Sequence, residues 1–148
     1  MTLQNLLAIQ RPQVFEPSAS GVRRLLEAAE RNLADAGLTQ VSPENSFDAA
    51  YKCIMQCATL GLWANGYRTS TNQPGHHQTA AQALPKTMAV SPDVVIVLDA
   101  LRKQRNLSDY EGDPVTPAAM NECVKQAKAM LAHTRAWLKA HRQDLLSK

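Results

Sequence analysis

Apolar positions recur every three to four residues along most of this 148-residue chain, and the rhythm breaks at Ser-Pro, Thr-Pro and Gly. Val22, Leu25, Leu26, Ala29, Leu33 and Ala36 form one stripe, the spacing of a helix that buries a single face. This predicts a helix over 18–36 that Gly37 stops, in the place glycine favours after a helix end. Ser42-Pro43-Glu44 opens the next one. A serine hydroxyl there accepts from an otherwise free amide, and a proline in the first turn has no amide to lose. Phe47, Ala50, Tyr51, Ile54, Ala58 and Leu62 share its inner face, and Asn65-Gly66 marks its end. The same start signal returns at Ser91-Pro92-Asp93 and at Thr116-Pro117. The last heads a helix over 117–145, with Met120, Val124, Ala127, Leu131, Thr134 and Leu138 on one stripe. A polar turn over 67–77 leads into a shorter helix over 76–87, which Pro85 weakens near its end.

Four substantial helices and one short one, joined by connections of ordinary length, predict an all-α fold. The expected architecture is an up-and-down four-helix bundle with one additional short helix and an N-terminal arm. The arm is residues 1–17 and the bundle residues 18–148. Within the arm, Leu3, Leu6, Leu7 and Ile9 make a small apolar patch, followed by Arg11-Pro12 and Glu16-Pro17. Each proline turns the residue before it away from helix, so the arm reads as a cover for a groove on the body or on a partner subunit.

The helix that starts at Ser91-Pro92 ends differently from the others. Val94, Leu98, Leu101 and Arg105 share one face. Arg105 thus lies on the stripe that should meet the core. A guanidinium there must find acceptors or an anionic ligand, because burying it unpaired costs several kcal/mol or more. It is either a structural arginine held by carbonyls at the helix C-terminus, where cations are favoured, or an anion-binding one. Asp109, Glu111 and Asp113 follow, and either hold Arg102 or Arg105 in place or solvate the turn.

Composition narrows the picture a little. A formal net charge of +3 and a pI near 8.9 make the chain mildly basic, which does not by itself predict nucleic-acid binding. The cations cluster, however, at Arg102, Lys103 and Arg105 and again at Lys125, Lys128, Arg135, Lys139, His141 and Arg142. Such a run is either a solvated face or a phosphate-binding surface. Three cysteines without a disulfide-framework spacing fit a reducing cytoplasm. Cys53 and Cys57 stand one helical turn apart, but a closed zinc site needs four ligands and no second pair follows, so they read as small core residues. Neither a basic segment leading into an apolar core nor a run of about 18 apolar residues is present, and the expected location is cytoplasmic. No metal or cofactor is expected: the chain has no glycine-rich phosphate loop, nucleophile elbow or zinc-protease helix.

A second polar group gathers in the turn before the short helix. His76 and His77 point about 100° apart on a helix and cannot easily chelate one metal together. With Gly75 before them and Tyr67 and Arg68 close by, they suit an anion at the helix start. The alternative is a capped helix whose histidines satisfy local polar groups. Tyr51, on an inner face, needs a partner for its hydroxyl.

In this order of elements the chain resembles the HEPN superfamily (higher eukaryotes and prokaryotes nucleotide-binding domain). The resemblance runs through most of residues 20–140. It is carried by the leucine-rich first helix, by Ser46-Phe47-Asp48-Ala49-Ala50-Tyr51, by Gly66-Tyr67-Arg68 and Gly75-His76-His77, and by Leu101-Arg102-Lys103-Gln104-Arg105-Asn106-Leu107-Ser108-Asp109-Tyr110. It implies a helical bundle, commonly a homodimer, related to RNA-cutting toxins and to partners of minimal nucleotidyltransferases. In the nuclease members an Arg, a few intervening residues and a His sit at this helix end, and two copies face each other across the dimer. Arg105 and Asn106 match the start of that motif, and Tyr110 stands where the His is expected. A neutral imidazole takes a proton from a ribose 2′-hydroxyl near neutral pH, whereas a phenol with an ordinary pKa of about 10 does so poorly.

The resemblance therefore implies, first, a module binding RNA, a nucleotide or a partner protein in a toxin–antitoxin or defence setting. Arg105, Asn106 and Tyr110 would line a groove between two subunits, with Arg102, Arg68, His76 and His77 as phosphate-binding residues and a nucleotidyltransferase-type antitoxin as a candidate partner. The second expectation is a metal-independent endoribonuclease, with Arg105 on the scissile phosphate and Tyr110 or a histidine carrying the proton. The third is a plain interaction protein in which Arg105 holds the helices together.

Overall fold

The computed structural model describes residues 2–5, 13–69 and 76–146, and of His76 and His77 the backbone alone. In chain order the elements are β1 (Gln13–Val14), α1 (Ala19–Ala36), α2 (Pro43–Ala64), β2 (Tyr67–Arg68), α3 (His76–Gln82), α4 (Leu84–Thr87), α5 (Pro92–Glu111) and α6 (Pro117–His141). A 3₁₀ turn over Gln143–Leu146 follows. The protein is mostly helical, of the all-α class.

Each long helix begins where a hydroxyl takes up a free amide. Ser18 accepts from the Gly21 amide (2.9 Å), Ser42 from Asn45 (3.1 Å), Ser91 from Asp93 (3.2 Å) and Thr116 from Ala119 (3.1 Å). A proline occupies the first turn of α2, α5 and α6. At the other end of α5, Gly112 takes the left-handed conformation at φ 73°, which a residue with a Cβ adopts only with strain.

Helix α2 is the centre of the molecule, packed between α1 and α6. Thirteen of its 22 residues are buried, including Phe47, Ala50, Tyr51, Ile54, Ala58 and Leu62 of the predicted inner face. Burial covers more than half of the circumference, because Cys53, Cys57, Leu60 and Gly61 widen the inner face, and it leaves one strip through Asn45, Asp48, Lys52 and Gln56 partly or fully exposed. Cys53, Cys57 and Cys123 are free thiols within this core, the place the spacing assigns to the first two. The hydrogen bond with Cys53, together with burial, pushes the Cys57 thiol well above the usual thiol range. Burial raises Cys123 to about 12. The predicted stripe of α1 is likewise turned inward, with Val22, Leu26, Ala29 and Ala36 buried.

Three features depart from the periodicity. Where one helix is predicted over 76–87, the chain forms α3 and α4 with a break at Ala83, because Pro85 has no amide to continue the ladder. The last helix ends at His141 instead of continuing to 145. Arg142 leaves the helix at φ −138° and donates to the Ala64 carbonyl at the end of α2. Its guanidinium also grips Asp144 (Nε to Oδ1 3.1 Å, Nη2 to Oδ2 3.0 Å), and the turn that follows brings Leu145 into the core.

The third departure is a short antiparallel ladder, Gln13 opposite Arg68 and Val14 opposite Tyr67. The Phe15 amide extends it to the Gly66 carbonyl (2.8 Å), and the Phe15 ring lies 5.1 Å from Trp63. Residues 13–15 of the arm therefore lie on the body of their own chain. Two-residue strands leave too little alternation for periodicity to register. Leu3 packs against the core, whereas Leu6, Leu7, Ile9, Arg11 and Pro12 lie outside the described residues.

Among the described residues no helix is long and apolar enough to cross a membrane.

Candidate functional site

Helix α5 is two-faced in an unequal way. Only Leu98 and Leu101 of its 20 residues are fully buried, and one turn beyond them Arg105 continues the inner stripe. Its side chain keeps 25% exposure, and its partners come from α2 and from its own helix. Nε donates to Asp48 Oδ1 at 3.2 Å and lies 3.5 Å from Asp109 Oδ2. The guanidinium carbon stands 5.1 Å from the centre of the Tyr51 ring, within reach of the attraction between a cation and an aromatic face. Asp48 is shared with Lys52 at 3.3 Å, one turn further along α2.

Carboxylates and a ring, not backbone carbonyls, thus satisfy the inward arginine. Asp109 belongs to the acidic set the sequence offers for this purpose. Asp48 lies outside that acidic set, and its position three residues before Tyr51 and four before Lys52 places all three on one side of α2. Burial raises the Tyr51 hydroxyl to about 12, against the opposing pull of the Arg105 and Arg102 cations.

Arg102 has a different partner. Its Nε and Nη2 both lie 3.0 Å from Asp99 Oδ1, and Lys103 reaches Asp99 Oδ2 at 3.4 Å. Partial burial acts to raise the Asp99 carboxyl, but the hydrogen bonds and charges of Arg102 and Lys103 outweigh it and hold the group below its usual value. These i, i+3 and i, i+4 pairs are readable from spacing alone. Arg102 and Asp99 border a cavity of about 240 Å³ between α3 and α5, walled also by Tyr51, Gln82, Ile96 and Leu98.

The remaining candidates are dispersed. Asn106 is half-buried beside Arg105. Tyr110 is 83% exposed, and five positions along a helix turn it about 140° away from Arg105. Within one chain Arg105 and Tyr110 therefore do not line one groove. Arg68 is drawn to the arm, with Nε donating to Gln13 Oε1 at 3.0 Å and its guanidinium 5.0 Å from the Phe15 ring centre. Gly75 and the side chains of His76 and His77 lie outside the described residues, and the helix they begin has seven residues. Of the other histidines, His133 Nε2 is 2.7 Å from the Met88 carbonyl oxygen, and the His141 ring lies tilted against Trp137 with ring centres 4.8 Å apart.

Chemically, the cluster counts two cations, Arg105 and Lys52, against two carboxylates, Asp48 and Asp109. Arg105 is held through Nε. Among the described residues no hydrogen bond runs from Nη1 or Nη2, and these are the donors of the fork that suits an oxyanion. The two carboxylates compete for that charge, so an anion would be held without a strong local field. No group of three or more His, Cys, Asp or Glu side chains among the described residues is arranged to hold a metal ion. Comparison with protein-family models, with curated proteins and with solved structures finds no match to this chain.

Proposed function

We propose that this chain is a HEPN-like module, an up-and-down four-helix bundle, that binds a phosphate-bearing ligand, RNA or a nucleotide, without cutting it. The observation that carries this reading is the fixed arginine: Arg105 is anchored through Nε by Asp48 and lies over Tyr51, while among the described residues no hydrogen bond takes its two terminal nitrogens. An anchored guanidinium costs little further ordering on binding, which favours recognition. Catalysis requires a proton acceptor near the same phosphate, and Tyr110 points elsewhere. A toxin–antitoxin or defence setting, with a nucleotidyltransferase-type partner, remains the context that the resemblance implies.

The homodimer belongs to this proposal, on a separate face of α5. Ile96, Leu107 and Tyr110 are exposed and fall within an arc of about 60°, roughly opposite Arg105. That stripe is the surface a second copy would cover. Charge introduced there, as in Leu107→Asp, should convert a dimer to a monomer by light scattering without lowering helicity.

The deciding experiment incubates the purified chain and Arg105→Ala with mixed RNA in EDTA, alongside a binding titration. No cleavage by either protein, with weaker binding by the folded variant, supports the module. Cleavage by the wild type alone replaces it with the metal-independent endoribonuclease. Unchanged RNA affinity in a less stable variant leaves Arg105 as a structural residue of an interaction protein.

A further inference from the structure

Helix α6 carries a cationic stripe on the side away from the core. Its inner positions are Cys123, Ala127, Met130, Leu131, Thr134 and Leu138. Lys125, Lys128, Arg135 and Lys139 are all exposed, and at 100° per residue they fall within about 80° of one another on the opposite side. From Lys125 to Lys139 the stripe runs about 21 Å along the helix axis. The exposed residues between them are Ala129, Ala132, His133 and Ala136; the alanines lie beside the cations, and His133 stands about 80° round the helix from Lys125. The helix contains a single acid, Glu122, which accepts from Gln126 Nε2 at 3.1 Å. Arg135 is paired with Glu30 of α1. Among the described residues no ion pair joins Lys125, Lys128 or Lys139 to a carboxylate.

We infer that this face of α6 is a second contact surface, which docks the phosphodiester backbone of a nucleic acid independently of base sequence. A line of three lysines without an ion pair among the described residues, on a helix side that carries no acid of its own, is complementary to a polymer of regularly spaced anions. It presents no apolar side chain of the kind that inserts into a lipid interface. The stripe offers charge without directional donors, as backbone positioning requires. This inference rests on the reading of the chain as a nucleic-acid binder, but it involves none of the residues around Arg105.

The test titrates the full chain with a twenty-base-pair RNA duplex of mixed sequence and with the matching single strand across a salt series. If three lysines each displace one counterion, affinity for the duplex falls about 40-fold between about 50 and 200 mM salt. Lys125→Gln combined with Lys128→Gln and Lys139→Gln should remove most of that dependence with helicity and Tm unchanged, and Lys128→Gln alone should reduce it by about 3.5-fold. Arg105→Ala removes at most the share of the slope that belongs to its own phosphate contact, and the share carried by the three lysines should persist in it. The two RNA forms separate duplex from single-strand docking. A triple variant with an unaltered slope overturns the inference, and loss of binding in Arg105→Ala would then leave the Arg105 site standing alone. A wild type that binds neither RNA overturns both. Tighter binding to phosphatidylserine vesicles than to either RNA puts a lipid surface in place of nucleic acid and also overturns it.

Discussion

Helices α2 and α5 have almost the same length, 22 and 20 residues, and start with the same Ser-Pro signal, yet one is the core and the other an edge. Thirteen residues of α2 are buried and only two of α5. The starting signals are local: a hydroxyl, a proline and an amide need nothing beyond one turn of chain. Burial depends on how far apolar residues extend round the helix. In α2 they extend over more than half of the circumference, so neighbours close over all but the strip of Asn45, Asp48 and Lys52; in α5 charge confines them to a stripe that ends in Arg105. The contrast teaches where function can reside. A helix covered over most of its surface offers partners only a narrow strip, while one held by two leucines and an anchored arginine presents most of its length to them.

The contrast can be broken at its strongest point first. Ile54→Ala, fully buried in α2, should cost about 2–5 kcal/mol by removing packed methyl groups and leaving a cavity. In chemical denaturation Ile96→Ala on the open face of α5, where the side chain is 68% exposed, should stay within about 0.5 kcal/mol. Similar losses at both positions would show that α5 is covered in solution.

The close approach of α2 to the α4 region gives the next effect. A Cβ at Gly61 would stand 2.9 Å from Thr87 Oγ1 and 3.2 Å from two atoms of Met88. Gly61→Ala should therefore destabilise by about 1–3 kcal/mol despite its better helix propensity. A thermal melt that matches the wild type would mean that Met88 moves aside freely.

Tyr51 supplies a pH-dependent measure of the same core. Its folded pKa is about 12, above the unfolded value of about 10. The neutral phenol thus favours the folded state below about pH 10, and that contribution is lost as pH rises towards 12, because the unfolded chain releases the proton first. The drop should amount to about 2 kcal/mol, at 1.36 kcal/mol per pKa unit. Comparing denaturant midpoints of the wild type and Tyr51→Phe through this range isolates it, since the phenylalanine variant lacks that part of the alkaline decline.

Arg105 lies between the two regimes and should show the smallest effect of the four. With a quarter of its side chain exposed and Asp48 about as accessible, solvent screening limits the pair, and Arg105→Ala should cost about 1 kcal/mol. For a chain of this size that lowers Tm by roughly 2–4 °C. Arg105→Lys keeps the charge but loses the guanidinium that lies over the Tyr51 ring; a full recovery of Tm and RNA affinity in that variant would mean that charge alone matters.

Much of the fold was legible because its signals are short-range. The hydroxyl caps, the prolines and the inner faces of α1 and α2 all depend on residues within a turn or two, and each lies where the spacing predicts. The break at Ala83 was half-legible, since Pro85 announced weakness without saying that two helices would result. The ladder of residues 13–14 with 67–68 was hidden by its brevity. At the site, the inward placement of Arg105 could be read from the stripe of Val94, Leu98 and Leu101, and Asp109 from its position one turn on. Asp48 could not be identified, because it lies 57 residues away from Arg105 and on another helix. The separation of Tyr110 from Arg105 follows from helix geometry alone, yet a motif written as a string treats the two as neighbours.

The sequence by itself determined that the chain is helical, where its long helices begin, which face of each is apolar, and that an arginine stands on an apolar stripe. Those properties follow from steric and hydrogen-bonding rules that act within a few residues. Only the tertiary structure decided that α2 is the central helix, that Asp48 and Tyr51 receive the arginine, that Arg142 ends the last helix by reaching the Ala64 carbonyl, and that residues 13–15 lie against their own chain. Each of these depends on groups brought together from distant parts of the chain by the burial of apolar surface, which is non-directional and specifies no particular pair.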